Sequence, residues 1–225
     1  MERAMNYCPL FLFLMAYALK TFQHSNIPTM NTLLLFIKNP ELGKVKTRIA
    51  ETAGAEHALQ IYLELLRHTR EIALPVDAQK LLFYSDFVNE ADDWASDDFQ
   101  KLLQQGADLG DRMQRAFNLA FSFSASKAVI IGSDCASLTS EIIETAFQKL
   151  EEYPFVLGPA MDGGYYLLGM NAYQPEVFNN IEWSTEAVLP ATLERIQQLQ
   201  KDYFLLPELP DIDYESDWEK YGWKI

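Results

Sequence analysis

Carboxylates placed at the ends of apolar runs are the residues of this chain best suited to chemistry. Val129-Ile130-Ile131-Gly132-Ser133-Asp134 is an apolar run that stops on a small residue and a carboxylate. Asp211-Ile212-Asp213 lies near the C-terminus, and Asp162-Gly163-Gly164-Tyr165-Tyr166 lies between the two. A carboxylate at the end of a buried strand, beside glycines that let a ligand approach the backbone, suits a hard cation gripping phosphate oxygens. Mg²⁺ or Mn²⁺ would serve, because octahedral Mg²⁺ needs only one or two protein carboxylates beside water and phosphate. The expected chemistry is enzymatic use of a nucleotide-activated substrate. Each position also has a purely structural reading. Asp134 can cap a turn, Asp162-Gly163 can make a hairpin, and Asp211 and Asp213 can cap a terminal helix.

Cations fall where such a substrate would need them. Lys38, Lys44, Lys46 and Arg48 cluster in KNPELGKVKTR, directly after the first apolar run, in a chain of formal net charge -14. Lys and Arg at a strand end can neutralise a diphosphate, and a following helix N-terminus adds backbone donors. The spacing is not that of a Walker loop, and a solvated basic loop is the alternative. Asp108-Leu109-Gly110-Asp111-Arg112-Met113 places a glycine turn before a helix with Arg112 in its first turn. A cation there is unfavourable unless it meets an anion or carboxylate. Trp183-Ser184-Thr185 offers hydroxyls and backbone N–H groups at another predicted helix start. Ordinary capping is the competing reading for both. Asp162 is a candidate general base or acceptor-orienting group, and Gly163 and Gly164 a close-approach surface for substrate.

Composition narrows the class. The chain has 225 residues, 49% of them hydrophobic, enough for one α/β domain with a substantial core. The acidic balance argues against a nucleic-acid binder. Cys8 and Cys135 give neither a disulfide framework nor a zinc spacing, and His24, His57 and His68 form no metal-binding pattern. A reduced, cytoplasmic setting is expected. Leu10–Leu19 is an apolar run too short to span a bilayer comfortably, so no stable membrane insertion is expected. Residues 1–29 are read as an N-terminal extension, with three readings open: a misassigned start upstream of Met30, a weak signal or anchor with Arg3 and Ala16-x-Ala18, or an accessory helix.

The elements that must carry these residues alternate. Strands are predicted at Thr32–Ile37, Lys80–Ser85, Lys127–Gly132, Phe155–Pro159, Tyr165–Met170 and Tyr203–Leu206. Helices are predicted at Ala55–Ala73, Asp111–Phe123, from Thr139 through Leu150, from Ser184 or Thr185 to about Leu199, and at Asp213–Tyr221. Asn39–Lys46 reads as a loop, Asn89–Asp98 as an acidic loop or short surface helix. Such alternation implies a mostly parallel central sheet with helices on both faces, in a single α/β domain over residues 30–225.

Six ordered blocks, FIKNPELGKVKTRIA, QQGADLGDRMQRAF, VIIGSDCASL, MDGGYYLLGM, IEWSTEAVL and LPDIDYESDW, resemble the DUF2064 family of bacterial glycosyltransferase-like proteins. These are also described as radical-SAM/selenodomain-associated transferase 1. The resemblance runs from about Asn31 to Trp218. It implies a GT-A-like (Rossmann-like) fold of the nucleotide-diphospho-sugar transferase superfamily, similar to molybdenum-cofactor and phospholactate-type guanylyltransferases. It further implies that Asp134 holds the divalent ion, that Asp211 and Asp213 complete that site, and that the Lys38–Arg48 segment takes the nucleotide phosphates. Ala136 departs from the family's usual proline after the Asp-Cys pair. The expected partner is a nucleotide sugar or nucleoside triphosphate, with a small-molecule acceptor the chain does not name. Three functions stay open: glycosyl transfer, nucleotidyl transfer releasing pyrophosphate, and non-catalytic nucleotide binding.

Overall fold

The computed structural model describes residues 30–225. The N-terminal extension, with its Leu10–Leu19 run, lies outside the described residues.

Apolar strands that carry no polar alternation must be covered on both faces, and this rule organises the molecule. Strand β1 (Met30–Ile37) has Leu33, Leu34 and Leu35 fully buried. It is followed by β2 (Gln79–Tyr84), β3 (Gln100–Leu103), β4 (Ala125–Ile131), β5 (Phe155–Pro159), β6 (Tyr165–Met170) and β7 (Tyr203–Leu205). These form one seven-stranded sheet in the order β3-β2-β1-β4-β6-β5-β7. All neighbours pair in parallel except β6, which runs antiparallel to both β4 and β5. Register sets Leu34 beside Leu81 on one side and Ile130 on the other.

Alternate residues of each strand feed two cores. Leu33, Leu35, Val129, Ile131 and Leu167 pack with helix α2 (Ala55–Ala73) and α4 (Ser140–Lys149) on one face. Leu34, Ile130, Leu157 and Leu168 pack with α3 (Leu109–Ser122), α5 (Val188–Gln198) and a 3-10 turn at Pro175–Phe178 on the other. A smaller cluster joins α1 (Thr47–Ala53) and α2 to α6 (Glu215–Tyr221), through Ile49, Ile61, Ile212 and Trp218. The result is the expected α/β architecture with a mostly parallel sheet and helices on both faces.

Several local expectations are corrected. β3 and α1 carry no sequence signal, because β3 is a four-residue edge strand with no buried position and α1 buries Ile49 alone. Helix α5 begins at Val188, not at Ser184 or Thr185, since Ser184 adopts a left-handed φ of 66 that ends any helical run there. Thr139 stands at the N-cap of α4 without a side-chain capping bond. α6 starts at Glu215 rather than Asp213, with Asp217 accepting from the backbone N–H of Asp213 and Tyr214. Among the described residues no helix is long and apolar enough to cross a membrane.

Candidate functional site

Parallel strands open their ligand crevice at their carboxyl ends. Here the ends of β1, β2 and β4 meet the start of the antiparallel β6, and a crevice of about 670 Å³ opens above them. Lys38, Arg48, Asp108, Arg112, Asp134, Asp162, Gly164, Trp183, Ser184, Thr185, Asp211 and Asp213 all line it. Residues from seven separate stretches of chain thus converge on one surface.

The acidic centre is built from three segments. Asp134 follows β4 after Gly132 and Ser133, and its backbone carbonyl accepts from Ile212 N at 2.9 Å, which holds Asp211 and Asp213 beside it. Lys46 Nζ spans the same junction, 2.5 Å from Asp134 Oδ1 and 2.6 Å from the Ile212 carbonyl. Arg48 pairs with Asp213 and lies over the Tyr214 ring. Asp162 Oδ1 accepts from Gly164 N at 2.8 Å in the β5–β6 turn. The carboxyl of Asp211 is raised to about 7, first by burial and then by the neighbouring Asp162, Asp134 and Asp213, against the opposing pull of Lys46. Five carboxylates but only three cations line the crevice. Among the described residues no three His, Cys, Asp or Glu side chains converge into a ligand set of their own. A cation here would therefore take one or two carboxylates, centred on Asp134 and the Asp211–Asp213 segment, and complete its shell with water and ligand oxygens.

The opposite wall belongs to α3 and the loop before α5. Asp108 caps α3 by accepting from Asp111 N at 2.8 Å. Arg112 forms no ion pair among the described residues; its guanidinium donates to the Gly106 carbonyl and to Gln104 Oε1. The Trp183 indole lies over Gly110, where any Cβ would run into the ring. Thr185 does not cap α5, but its hydroxyl donates to the Glu182 carbonyl at 2.8 Å and fixes the loop.

Three of the predicted residues are placed otherwise. Lys44 lies outside the crevice, its side chain 72% exposed and paired with Glu41. Lys46 does not line the crevice either, because its side chain is 6% exposed and its ammonium is turned inward onto Asp134. Gly163 does not line it; its φ is +89, a Cβ there would run into the Glu186 backbone, and its carbonyl accepts from Leu189 N at 2.9 Å. Gly163 therefore docks the α5 loop onto the β5–β6 turn instead of approaching a ligand.

Other residues hold the site and were not singled out from sequence. Tyr62, on α2, accepts from Lys38 N at 2.7 Å, with the Lys38 carbonyl and Ser133 Oγ also in reach, so one buried hydroxyl braces the ends of β1 and β4. Burial, then Asp134, keeps that phenol protonated far above its ordinary range. Asn39, 3% exposed, donates to the Phe87 carbonyl and accepts from Asp86 N, tying the β1 loop to the β2 loop. Gln104 donates to the carbonyls of Ile37 and Phe83, so its Oε1 is left for Arg112. Asn39 and Gln104 lie within recognised sequence blocks, but Tyr62 reads from sequence only as part of an apolar helix face. Cys135 is no nucleophile: burial, with Asp211 adding, pushes its thiol up to about 12.

Solved structures share this arrangement of strands and helices. A protein of Desulfovibrio desulfuricans G20, provisionally described as a nucleotide-diphospho-sugar transferase, superposes with a TM-score of 0.76 at 30% identity, over 82% of this chain and 82% of that one. The inositol-1-phosphate CTP transferase from T. maritima gives 0.55 at 12% identity, covering 84% and 92%. The 4-diphosphocytidyl-2C-methyl-D-erythritol synthase of Anaerococcus prevotii DSM 20548 gives 0.55 at 7% identity, covering 86% and 95%. The last two likenesses are of fold alone. The fold is thus that of the nucleotide-diphospho-sugar transferase structures. No curated protein matches the chain. Residues 68–185 match the family described as an uncharacterized protein conserved in bacteria, DUF2064, and the chain belongs to that family.

Proposed function

We propose that this protein is a GT-A-like, divalent-metal-dependent transferase that uses a nucleotide-activated sugar. The observation that carries the reading is the gathering of Asp134, Asp162, Asp211 and Asp213 from three chain segments around one crevice, where Lys46 pairs with Asp134 and Arg48 with Asp213 while Asp162 and Asp211 have no ion-pair partner among the described residues. Like charges brought this close raise one another's proton affinity unless a cation joins them. Mg²⁺ or Mn²⁺, held by Asp134 with one carboxylate of the Asp211–Asp213 segment, fits that donor set, and when bound would stabilise charge on a leaving diphosphate.

The chain's own residues supply the rest. Lys38, Arg48 and Arg112 line the crevice as donors to phosphate oxygens, and Tyr62, Asn39 and Gln104 hold the loops that carry them. Asp108 and the Trp183–Thr185 wall bound the opposite side of the substrate. Asp162, exposed at the crevice edge and positioned by Gly164 N, is placed to orient an acceptor or take its proton. Lys44 has no part in this reading. Residues 30–225 form the transferase domain, and a cytoplasmic setting suits a nucleotide substrate.

Nucleotidyl transfer is the second reading, because two of the similar folds are named as transferases or synthases of cytidyl compounds. Both reactions need a metal-held diphosphate and differ in the bond broken. A thermal-shift screen of nucleotides and nucleotide sugars, with and without Mn²⁺, tests the class. Product analysis then separates glycosyl transfer, which releases a nucleoside diphosphate, from nucleotidyl transfer, which releases pyrophosphate. Stabilisation by no nucleotide in either condition would overturn both.

A further inference from the structure

Lys46 is the cation that the crevice does not show. Its ammonium bridges Asp134 Oδ1 at 2.5 Å and the Ile212 carbonyl at 2.6 Å, and its side chain is 6% exposed while that of Asp134 is 46% exposed. The positive charge thus sits behind the carboxylate, and Asp134 lines the crevice in front of it. Lys46 is also held through its backbone. It occupies the N-cap of α1 in the left-handed conformation, φ 47 and ψ 47, and its carbonyl accepts from Ala50 N at 2.9 Å. Arg48, by contrast, is 57% exposed on Asp213, where solvent screens its charge.

We infer that Lys46 is a positioning residue that makes divalent-ion binding at Asp134 conditional on a bound diphosphate. The inference rests on the reading of this crevice as a metal and diphosphate site. A buried ammonium and a dication sharing one carboxylate repel each other strongly at low effective dielectric. The ion alone therefore binds weakly, although the carboxylates gathered here invite it. A diphosphate in the crevice brings negative charge that offsets the ammonium and ligates the ion. By linkage, each then raises the other's affinity by the same factor. Removing the ammonium frees Asp134 for the ion and weakens that coupling.

The test measures Mn²⁺ binding by electron paramagnetic resonance titration, to the full chain, without nucleotide and then with UDP, CDP or GDP. In the wild type, weak binding of Mn²⁺ alone and a clear gain with at least one diphosphate are expected. In Lys46→Met, Mn²⁺ alone should bind at least about tenfold tighter, and the gain from the same diphosphate should shrink. Lys46→Gln keeps a donor towards Ile212 while losing the charge. It should behave like Lys46→Met and serves if that variant does not fold. Lys46→Arg keeps the charge and should retain the wild-type pattern. Mn²⁺ binding no tighter in either folded neutral variant, or no diphosphate gain in the wild type, would overturn the inference. A wild type that couples Mn²⁺ to a diphosphate yet releases neither transfer product would overturn the proposed function and leave the role of Lys46 standing.

Discussion

Tyr62→Phe removes a single oxygen from the interior, and the structure says what that oxygen does. The Tyr62 hydroxyl accepts from Lys38 N at 2.7 Å and lies 3.1 Å from the Lys38 carbonyl and 3.3 Å from Ser133 Oγ. Phe fills the same volume, so no cavity forms. The cost is a part-buried backbone N–H left without its acceptor, worth about 1–3 kcal/mol. At the middle of that range, a domain of this size should lose roughly 4–8 °C in Tm. Tyr84→Phe is the control. Tyr84 is also buried and donates to Asp92 Oδ2 at 2.6 Å, but it does not line the crevice. Both variants should unfold at lower urea with an unchanged slope. Only Tyr62→Phe should also weaken binding of a nucleoside diphosphate with Mn²⁺, because it loosens Lys38 and Ser133 together. Urea unfolding followed by tryptophan fluorescence, with calorimetry of diphosphate binding, reads both effects. If Tyr62→Phe costs under about 0.5 kcal/mol, or if the two variants lose diphosphate affinity equally, the bracing role is refuted.

Asp134→Asn should abolish metal-dependent nucleotide binding and keep the fold, and unchanged Mn²⁺-dependent affinity in calorimetry would remove Asp134 from the metal site. Gly163→Ala should destabilise by about 1–3 kcal/mol, since it puts a side chain at φ +89 and into the Glu186 backbone; an unchanged urea midpoint would show that the α5 loop moves freely there. His68 gives a pH test: burial lowers its pKa below the ordinary 6.5, so the unfolded chain binds the proton more readily and stability is lost as pH falls through and below that value. His68→Gln should flatten that part of the profile, and parallel denaturation curves from pH 7.5 to 5 would refute it. A chain starting at Met30 should be as stable as the full chain, because described residues from Leu33 onward supply both sheet cores; clear destabilisation in thermal unfolding would mean that residues 1–29 contribute to the domain.

The strand runs were legible in sequence for one reason. Covered parallel strands are continuous apolar segments, and Leu33–Leu35 and Val129–Ile131 show it without any partner in view. Helix faces followed likewise from their period, as in Ala58, Tyr62 and Leu66 on α2. Asp134 stood out because it follows an apolar run, and Asp162 because it precedes a glycine pair, places where a carboxylate has no packing role. β3 and α1 were invisible by the same logic: a short element with little buried surface leaves no pattern to read. What Lys46, Gly163 and Tyr62 face depends on chain that lies far away in sequence. Lys46 meets Asp134 and Ile212, Gly163 meets Glu186, and Tyr62 meets Lys38 and Ser133. Local propensity acts over a few residues, whereas these contacts are selected by how helices dock on the sheet. The residue types needed for a charged crevice were thus set by sequence alone, and their division into ligand-facing and framework groups was decided by packing.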